Sequence, residues 1–297
     1  MFALNANYRG IFALIGVGAA LSLGDAMMKL VAQSLPVGEM LFVRGVLTIV
    51  CFVAVLSAFS ELKWIWLAIR PVVLLRAVLD ASASACFFVA LPHMRIADLS
   101  AVTLASPLLL TLLAVFIYKE SVGWRRWTAI AVGAVGTLFI IKPSLSAFNP
   151  WALLGVGTAI CAALRDLTMR RIDPGISSFA IALLTTIALT LTGWGLDLGN
   201  EWSVPSTNDL WLLAGAAVSQ SFATYLGVIA FRGAVDFSVV VPFRYTSLLW
   251  AGIAGYSVFG ELPDNWTLLG AALIAGSGVY ALRRAPATVA RRLRDER

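Results

Sequence analysis

FGELPDNWTLLGAALIAGSGVY, from Phe259 to Tyr280, carries its charges in the first six residues and then runs without another as far as Arg283. A membrane helix needs about 20 mostly apolar residues, and the run from 265 to 283 has that length. Trp266 stands at one edge, the headgroup level its amphipathic ring prefers, and Arg283 stands at the other. The run is therefore read as a membrane-spanning helix entered through a polar turn.

Working outward, ten such runs fall between loops rich in charge, proline or tryptophan, at approximately 9–33, 37–58, 70–91, 97–118, 125–142, 150–171, 176–197, 209–232, 236–259 and 265–283. They are continuously apolar, whereas barrel strands alternate over about 10 residues. Composition agrees: of 297 residues 60% are hydrophobic and 13% charged, against roughly 25% charged in soluble domains. Mean hydropathy is +0.88. A cytosolic enzyme and a disordered chain are excluded, and an all-α integral membrane protein is expected, with the lipid bilayer as its solvent. The first run starts near Arg9 and is too long for a signal-peptide core of ~7–15 residues, so it too is read as a span.

The net charge of +6 does not imply nucleic acid, because six arginines lie between Arg283 and Arg297. A basic tail beyond an apolar span suits an anionic inner leaflet. Fifteen of the 22 lysines and arginines fall in loops and ends on the side of the amino terminus. Two, Arg95 and Lys142, fall on the opposite side, and Lys29, Arg44, Arg76, Arg165 and Arg244 lie within spans. That bias predicts a multi-pass protein with both termini cytoplasmic. Nine of the ten tryptophans mark span boundaries, Trp64 among them, and Trp250 alone sits near mid-membrane. Cys51, Cys86 and Cys161 lie in apolar runs with no CxxC spacing, so they are read as packing residues.

The two halves resemble each other. DAMMK (Asp25 to Lys29) matches DLTMR (Asp166 to Arg170) at an offset of 141, the offset that superposes Glu120 on Glu261, while ADLS (Ala97 to Ser100) echoes VDFS (Val235 to Ser238) shifted by three. Five spans per half invert the second copy, the plan of secondary transporters whose substrate site lies at the repeat interface near the midplane. The expected units are 1–144, the first repeat; 145–284, the inverted repeat; and 285–297, the basic tail.

Nucleotide-binding GxxxxGK(S/T), HExxH, GxSxG and paired CxxC motifs are absent. No catalytic residue, metal or cofactor is therefore expected, and transport of a small molecule is the leading function. Ionisable residues at membrane depth are costly and become the candidates. Asp80 stands ten residues into the third span among Ala81, Ser82, Ala83 and Ser84, small neighbours that leave room for ligand. Arg44 and Arg244 could hold an anionic group with the guanidinium fork or tie a neighbouring helix. Asp25 and Lys29, like Arg76 and Asp80, are spaced to pair on one helix face. Asp25, Lys29 and Arg44 are thus candidate proton or charge-pair sites. Tyr225, Tyr245, Trp250 and Ser84 join Asp80 and Arg244 as substrate-binding candidates, with Gln220, Thr103, Ser106, Phe87 and Phe88 filling out a cavity. His93, in an outer loop, is read as a bystander. Pro107 and Pro242 each remove a backbone donor inside a span. The pairs Ala129 with Gly133 and Ala272 with Gly276 predict close packing of the fifth and tenth spans.

The closing stretch from Phe259 to Tyr280 resembles the signature ending each repeat of the EamA-type carriers of the drug/metabolite transporter superfamily. IYKESVGWRRWTAIAVGAVG (Ile117 to Gly136) is its weaker twin. In overall character the chain is most similar to the YddG-type amino-acid exporters of the bacterial inner membrane. The resemblance implies a central cavity lined by spans 1, 3, 4, 6, 8 and 9, which excludes Arg44, and the export of aromatic and other amino acids by alternating access. Arg244 would attract the carboxylate and Asp80 the ammonium group, and the carrier could form a homodimer. Rivals are a carrier for another metabolite, such as S-adenosylmethionine or a nucleotide sugar, an intramembrane enzyme, or a channel.

Overall fold

The computed structural model describes residues 2–58, 65–66, 68–118, 124–141, 149–173, 175–199, 202–233 and 240–283. Expectations resting on Trp64, Glu120, Lys142, Val235–Ser238 and the tail 285–297 lie outside those residues. The first half contributes α1 (Phe2–Val31), α2 (Val37–Ala58), α3 (Pro71–Ala90), α4 (Ile96–Thr103), α5 (Ser106–Tyr118) and α6 (Trp124–Ile141). The second contributes α7 (Ala152–Thr168), α8 (Ser178–Leu196), α9 (Thr207–Gly233), α10 (Ser247–Phe259) and α11 (Asn265–Arg283), with 3-10 segments at Leu91–His93, Met169–Arg171 and Val241–Thr246. The described residues contain no strand.

Among the described residues six segments are long and apolar enough to cross a membrane, namely Tyr8–Val31, Val37–Ser57, Pro71–His93, Ile96–Leu113, Ser178–Leu196 and Thr207–Ala230. Trp127–Ile141 is a shorter apolar helix. Large apolar side chains face outward along the bundle, Phe12, Val50, Leu191 and Leu249 among them. In a membrane that surface meets acyl chains, so its exposure needs no partner protein. Trp66, Trp124, Trp211 and Trp266 are exposed as well, as interfacial tryptophans should be.

The fourth predicted span is not one helix. It breaks at Leu104–Ala105 between α4 and α5, where Pro107 cannot donate to the carbonyl one turn back at Thr103. The ninth is likewise divided, its described part opening with the 3-10 segment Val241–Thr246 before α10. There Thr246 Oγ1 donates to Phe243 O at 2.7 Å and Ser247 Oγ to Arg244 O at 2.9 Å, satisfying carbonyls that an interrupted ladder leaves open.

Helix α1 packs on α9 and α10; α2 on α8 and α9; α3 on α7 and α8; α7 on α4 and α5; α4 on α10; and α6 on α11. The last pair meets at a glycine crossing: a Cβ on Gly270 would stand 2.5 Å from Gly136 O. The small-residue expectation holds on one side only. Ala129 and Gly133 face inward, and a Cβ on Gly133 would strike Leu108, whereas Ala272 and Gly276 are exposed. On α11 the inward face carries Gly270, Ile274, Ser277 and Gly278 instead.

Burial is uneven along the bundle. One end is closed by a continuous core that includes Met28 and Val31 of α1, Met40 and Leu41 of α2, and Leu91 and Ile96 between α3 and α4, none with any exposed surface. The opposite end holds separate small clusters, one joining Ala13 and Leu14 to Ala230 and Val240, another joining Phe52 and Leu56 to Leu183.

Candidate functional site

Two adjoining cavities of about 490 and 670 Å³ occupy the middle of the bundle. They share a wall of Leu21, Arg76, Arg165, Met169 and Gly227. Each helix reaches them by its 3.6-residue period. On α3, Arg76, Asp80 and Ser84 line the smaller cavity at intervals of four, and Phe87 continues the stripe into the larger. From α1, Gly18, Ser22 and Asp25 face the larger cavity, and from α4, Thr103 does. Thr185 and Thr186 of α8, with Gln220 and Thr224 of α9, give the smaller cavity a hydroxyl and amide lining.

Charge is concentrated at the shared wall. Arg165 Nη1 donates to Asp80 Oδ1 at 2.5 Å, and its Nε to Asp166 Oδ1 at 2.9 Å. Arg76 Nη1 lies 3.7 Å from Asp80 Oδ2, and Arg244 Nη1 lies 3.9 Å from Asp166 Oδ2. Arg76 Nε also donates to Met169 Sδ at 2.9 Å. Asp80 lines the smaller cavity and Arg244 the larger, and the Asp80 carboxylate is held by Arg165. Arg165 and Asp166 were not among the expected site residues. Arg165 is one of the five basic residues that the span boundaries place inside the bilayer, and the cost of a charge there marks it.

The expected Asp25–Lys29 pairing gives way to a partnership of Lys29 across helices. Asp25 faces the larger cavity, and the Arg44 guanidinium covers the Phe88 ring at 4.6 Å. Arg44 lines the smaller cavity although α2 is not among the helices the resemblance assigns to the site. Lys29 reaches the sealed end, where Nζ donates to Glu261 Oε1 and, at 2.7 Å, to Met94 O. Gly260 makes this possible: at φ 66 it ends α10 in the left-handed conformation, and the Glu261 N–H turns back to Gly255 O. Glu261 Oε2 then accepts Ile96 N–H at 3.2 Å. Arg95 reinforces the junction, its Nε on Asp98 Oδ2 at 2.8 Å and Nη1 on Leu262 O at 2.9 Å. Burial works against the Arg95 charge, but the Asp98 hydrogen bond and the Asp98, Asp264 and Glu261 carboxylates outweigh it and hold the guanidinium above its usual value.

Three substrate candidates lie elsewhere. Tyr225 follows Thr224 by one residue, about 100° around the helix, and is exposed beside Phe179, with ring centroids 6.5 Å apart. Tyr245 turns away from Arg244 into a core with Ala101, Ile140 and Ile274, its hydroxyl over Gly278. Trp250 lines neither cavity. His93 stacks on Trp151 at 3.9 Å outside both cavities.

The profile of the EamA-like transporter family matches residues 8–142. The chain is 31% identical over 181 residues to the S-adenosylmethionine uptake transporter of Rickettsia prowazekii, an alignment covering 61% of each protein. It is similar to the pseudopaline exporter of Pseudomonas aeruginosa, 25% identical over 275 residues covering 89% of this chain and 93% of the other. It is also similar to the riboflavin transporter of Rhizobium johnstonii, 31% identical over 214 residues covering 71% and 69%. A solved structure 17% identical in sequence superposes with a TM-score of 0.64 over 97% of this chain and 98% of its own, a likeness of fold.

Proposed function

We propose, from the premise that the chain belongs to the EamA-like transporter family, that it is a secondary carrier moving a bulky polar metabolite through the paired central cavities by alternating access. The observation that carries this reading is cavity size. At about 490 and 670 Å³, each falls within the roughly 300–1,000 Å³ of sites that enclose drug-sized ligands, and together they exceed the needs of a free amino acid. The names of the relatives point the same way, toward S-adenosylmethionine, riboflavin or pseudopaline. A carrier for another, bulkier metabolite is therefore favoured over amino-acid export. Amino acids remain the second reading, because acids and arginines together line the cavities and suit a zwitterion.

The ten-span, inverted-repeat plan belongs to this proposal and has support in the packing. Exchange α1 with α7, α2 with α8, α3 with α9, the α4–α5 span with the Val241–Thr246 and α10 span, and α6 with α11. The principal helix pairs then map onto one another. The two divided spans exchange as well, and interrupted helices at corresponding positions of two halves are a pointer to a transporter's binding site. With both termini cytoplasmic in a bacterial inner membrane, the sealed end faces outward and cargo enters from the cytoplasmic side. One chain supplies the whole path, whether or not it forms a homodimer.

Uptake of labelled S-adenosylmethionine, riboflavin, phenylalanine, threonine and methionine into proteoliposomes tests the reading. Saturable uptake of a nucleoside- or flavin-sized compound is expected. Saturable flux of the free amino acids alone restores the exporter reading, and flux without saturation refutes a carrier.

A further inference from the structure

The charges on and beside the shared wall form a ladder of alternating sign, Arg76, Asp80, Arg165, Asp166 and Arg244. Its middle is tight, with Arg165 hydrogen-bonded to one oxygen of each carboxylate at 2.5 and 2.9 Å. Its ends are loose. Arg76 and Arg244 meet the remaining carboxylate oxygens at 3.7 and 3.9 Å, beyond the reach of a good hydrogen bond. Each carboxylate oxygen is thus already approached by a cation, while both ends of the ladder are arginines with donors to spare. The other charges lining the cavities are one of each sign, Asp25 in the larger and Arg44 in the smaller. Among the described lining residues four arginines therefore face three aspartates.

A surplus cation at membrane depth is costly until an anion meets it. The guanidinium fork fits a carboxylate or a phosphate. Arg244 is the looser end, its side chain 38% exposed toward the larger cavity. The 3-10 segment carries it, and its own carbonyl takes the Ser247 hydroxyl, so the fork is presented from an anchored backbone.

We infer that the cargo bears a carboxylate or phosphate that docks on Arg244, with Arg76 as the second anchor, and that metabolites of net negative charge are the preferred class. This rests on the cavities being the substrate path. It discriminates among cargo chemistries that the relatives leave open, because a sulfonium such as S-adenosylmethionine adds positive charge to a site already in surplus.

The test uses the purified full chain in lipid nanodiscs with four probes: riboflavin, which is uncharged; riboflavin 5′-phosphate; citrate; and S-adenosylmethionine. At least one of the phosphate ester and citrate should bind about tenfold or more tighter than riboflavin and S-adenosylmethionine, the size of one charge-assisted hydrogen bond. Which of the two binds separates phosphate from carboxylate. Arg244→Gln should bring the anion within about threefold of riboflavin. Arg244→Lys, which keeps charge but loses the fork, should fall between them and serves if the glutamine variant does not fold. Riboflavin or S-adenosylmethionine binding as well as the anions overturns the inference. So does a preference that survives in both Arg244→Gln and Arg76→Gln, or a panel in which nothing binds. Flux separates the two claims. If a neutral or cationic cargo is transported and no anion competes, the charge inference falls and the carrier stands. If an anion binds through Arg244 but nothing crosses the membrane, the carrier falls and the site stands.

Discussion

Replacing Glu261 by glutamine removes the charge facing Lys29 at the sealed end while keeping an oxygen of similar placement. Lys29 Nζ bonds Glu261 and Met94 O, and Glu261 Oε2 accepts Ile96 N–H. The two side chains are only 9% and 19% exposed, so solvent screens the pair weakly. A hydrogen bond to a charged partner contributes about 1.5–3 kcal/mol, and a neutral replacement about 1 kcal/mol, so the loss is about 0.5–2 kcal/mol. Lys29 lies on α1 and Glu261 follows α10, so under the proposed alternating access the contact breaks when this end opens, and its loss weighs on the closed form. At about 1.4 kcal/mol per tenfold, the open fraction at this end should rise roughly tenfold. A single cysteine at Val31, fully buried in the seal, reports opening once Cys51, Cys86 and Cys161 are replaced. Its alkylation by a membrane-impermeant maleimide should accelerate by that factor in Glu261→Gln. A rate within about twofold of the parent, in protein that is folded and monodisperse, refutes the latch.

Gly278→Ala would set a Cβ 1.7 Å from the Tyr245 hydroxyl. It should lower stability by about 1–3 kcal/mol, and thermal unfolding should show partial recovery when Tyr245→Ala is added. Tyr225→Phe and Trp250→Phe should leave the KM for transport within about twofold, since neither residue lines a cavity; a tenfold change in either returns it to the site. Arg44→Gln removes the guanidinium that covers the Phe88 ring and should cost about 1–2 kcal/mol in the same unfolding assay.

The membrane character was legible because lipid tolerates little except apolar residues over a fixed length, and the tryptophans mark where that length ends. The stripe of Arg76, Asp80, Ser84 and Phe87 was legible too, since a helix repeats its face by spacing alone. Partners across helices were not. Asp25 and Lys29 have the spacing of a pair, yet such a pair contributes only about 0.2–0.5 kcal/mol, and Lys29 found its partner in Glu261 instead. Tyr245 looked like a site residue by standing next to Arg244. Adjacent positions on a helical segment face different ways, and the space above Gly278 took it. Arg165 carried the right signal in its depth, but its hold on two carboxylates depends on α3 and α7 coming together.

The continuous apolar seal at one end of the bundle makes access to the cargo chamber sided. A polar blocker too large to slip through the bilayer would be held out on the sealed face, where Met28, Val31, Leu91 and Ile96 are packed with no exposed surface. Applied to the opposite face it would find only small helix-pair clusters beside the chamber mouth. Inhibition by such a compound should therefore depend on which compartment receives it, and oriented vesicles would report the resting state of the cycle without any structural probe.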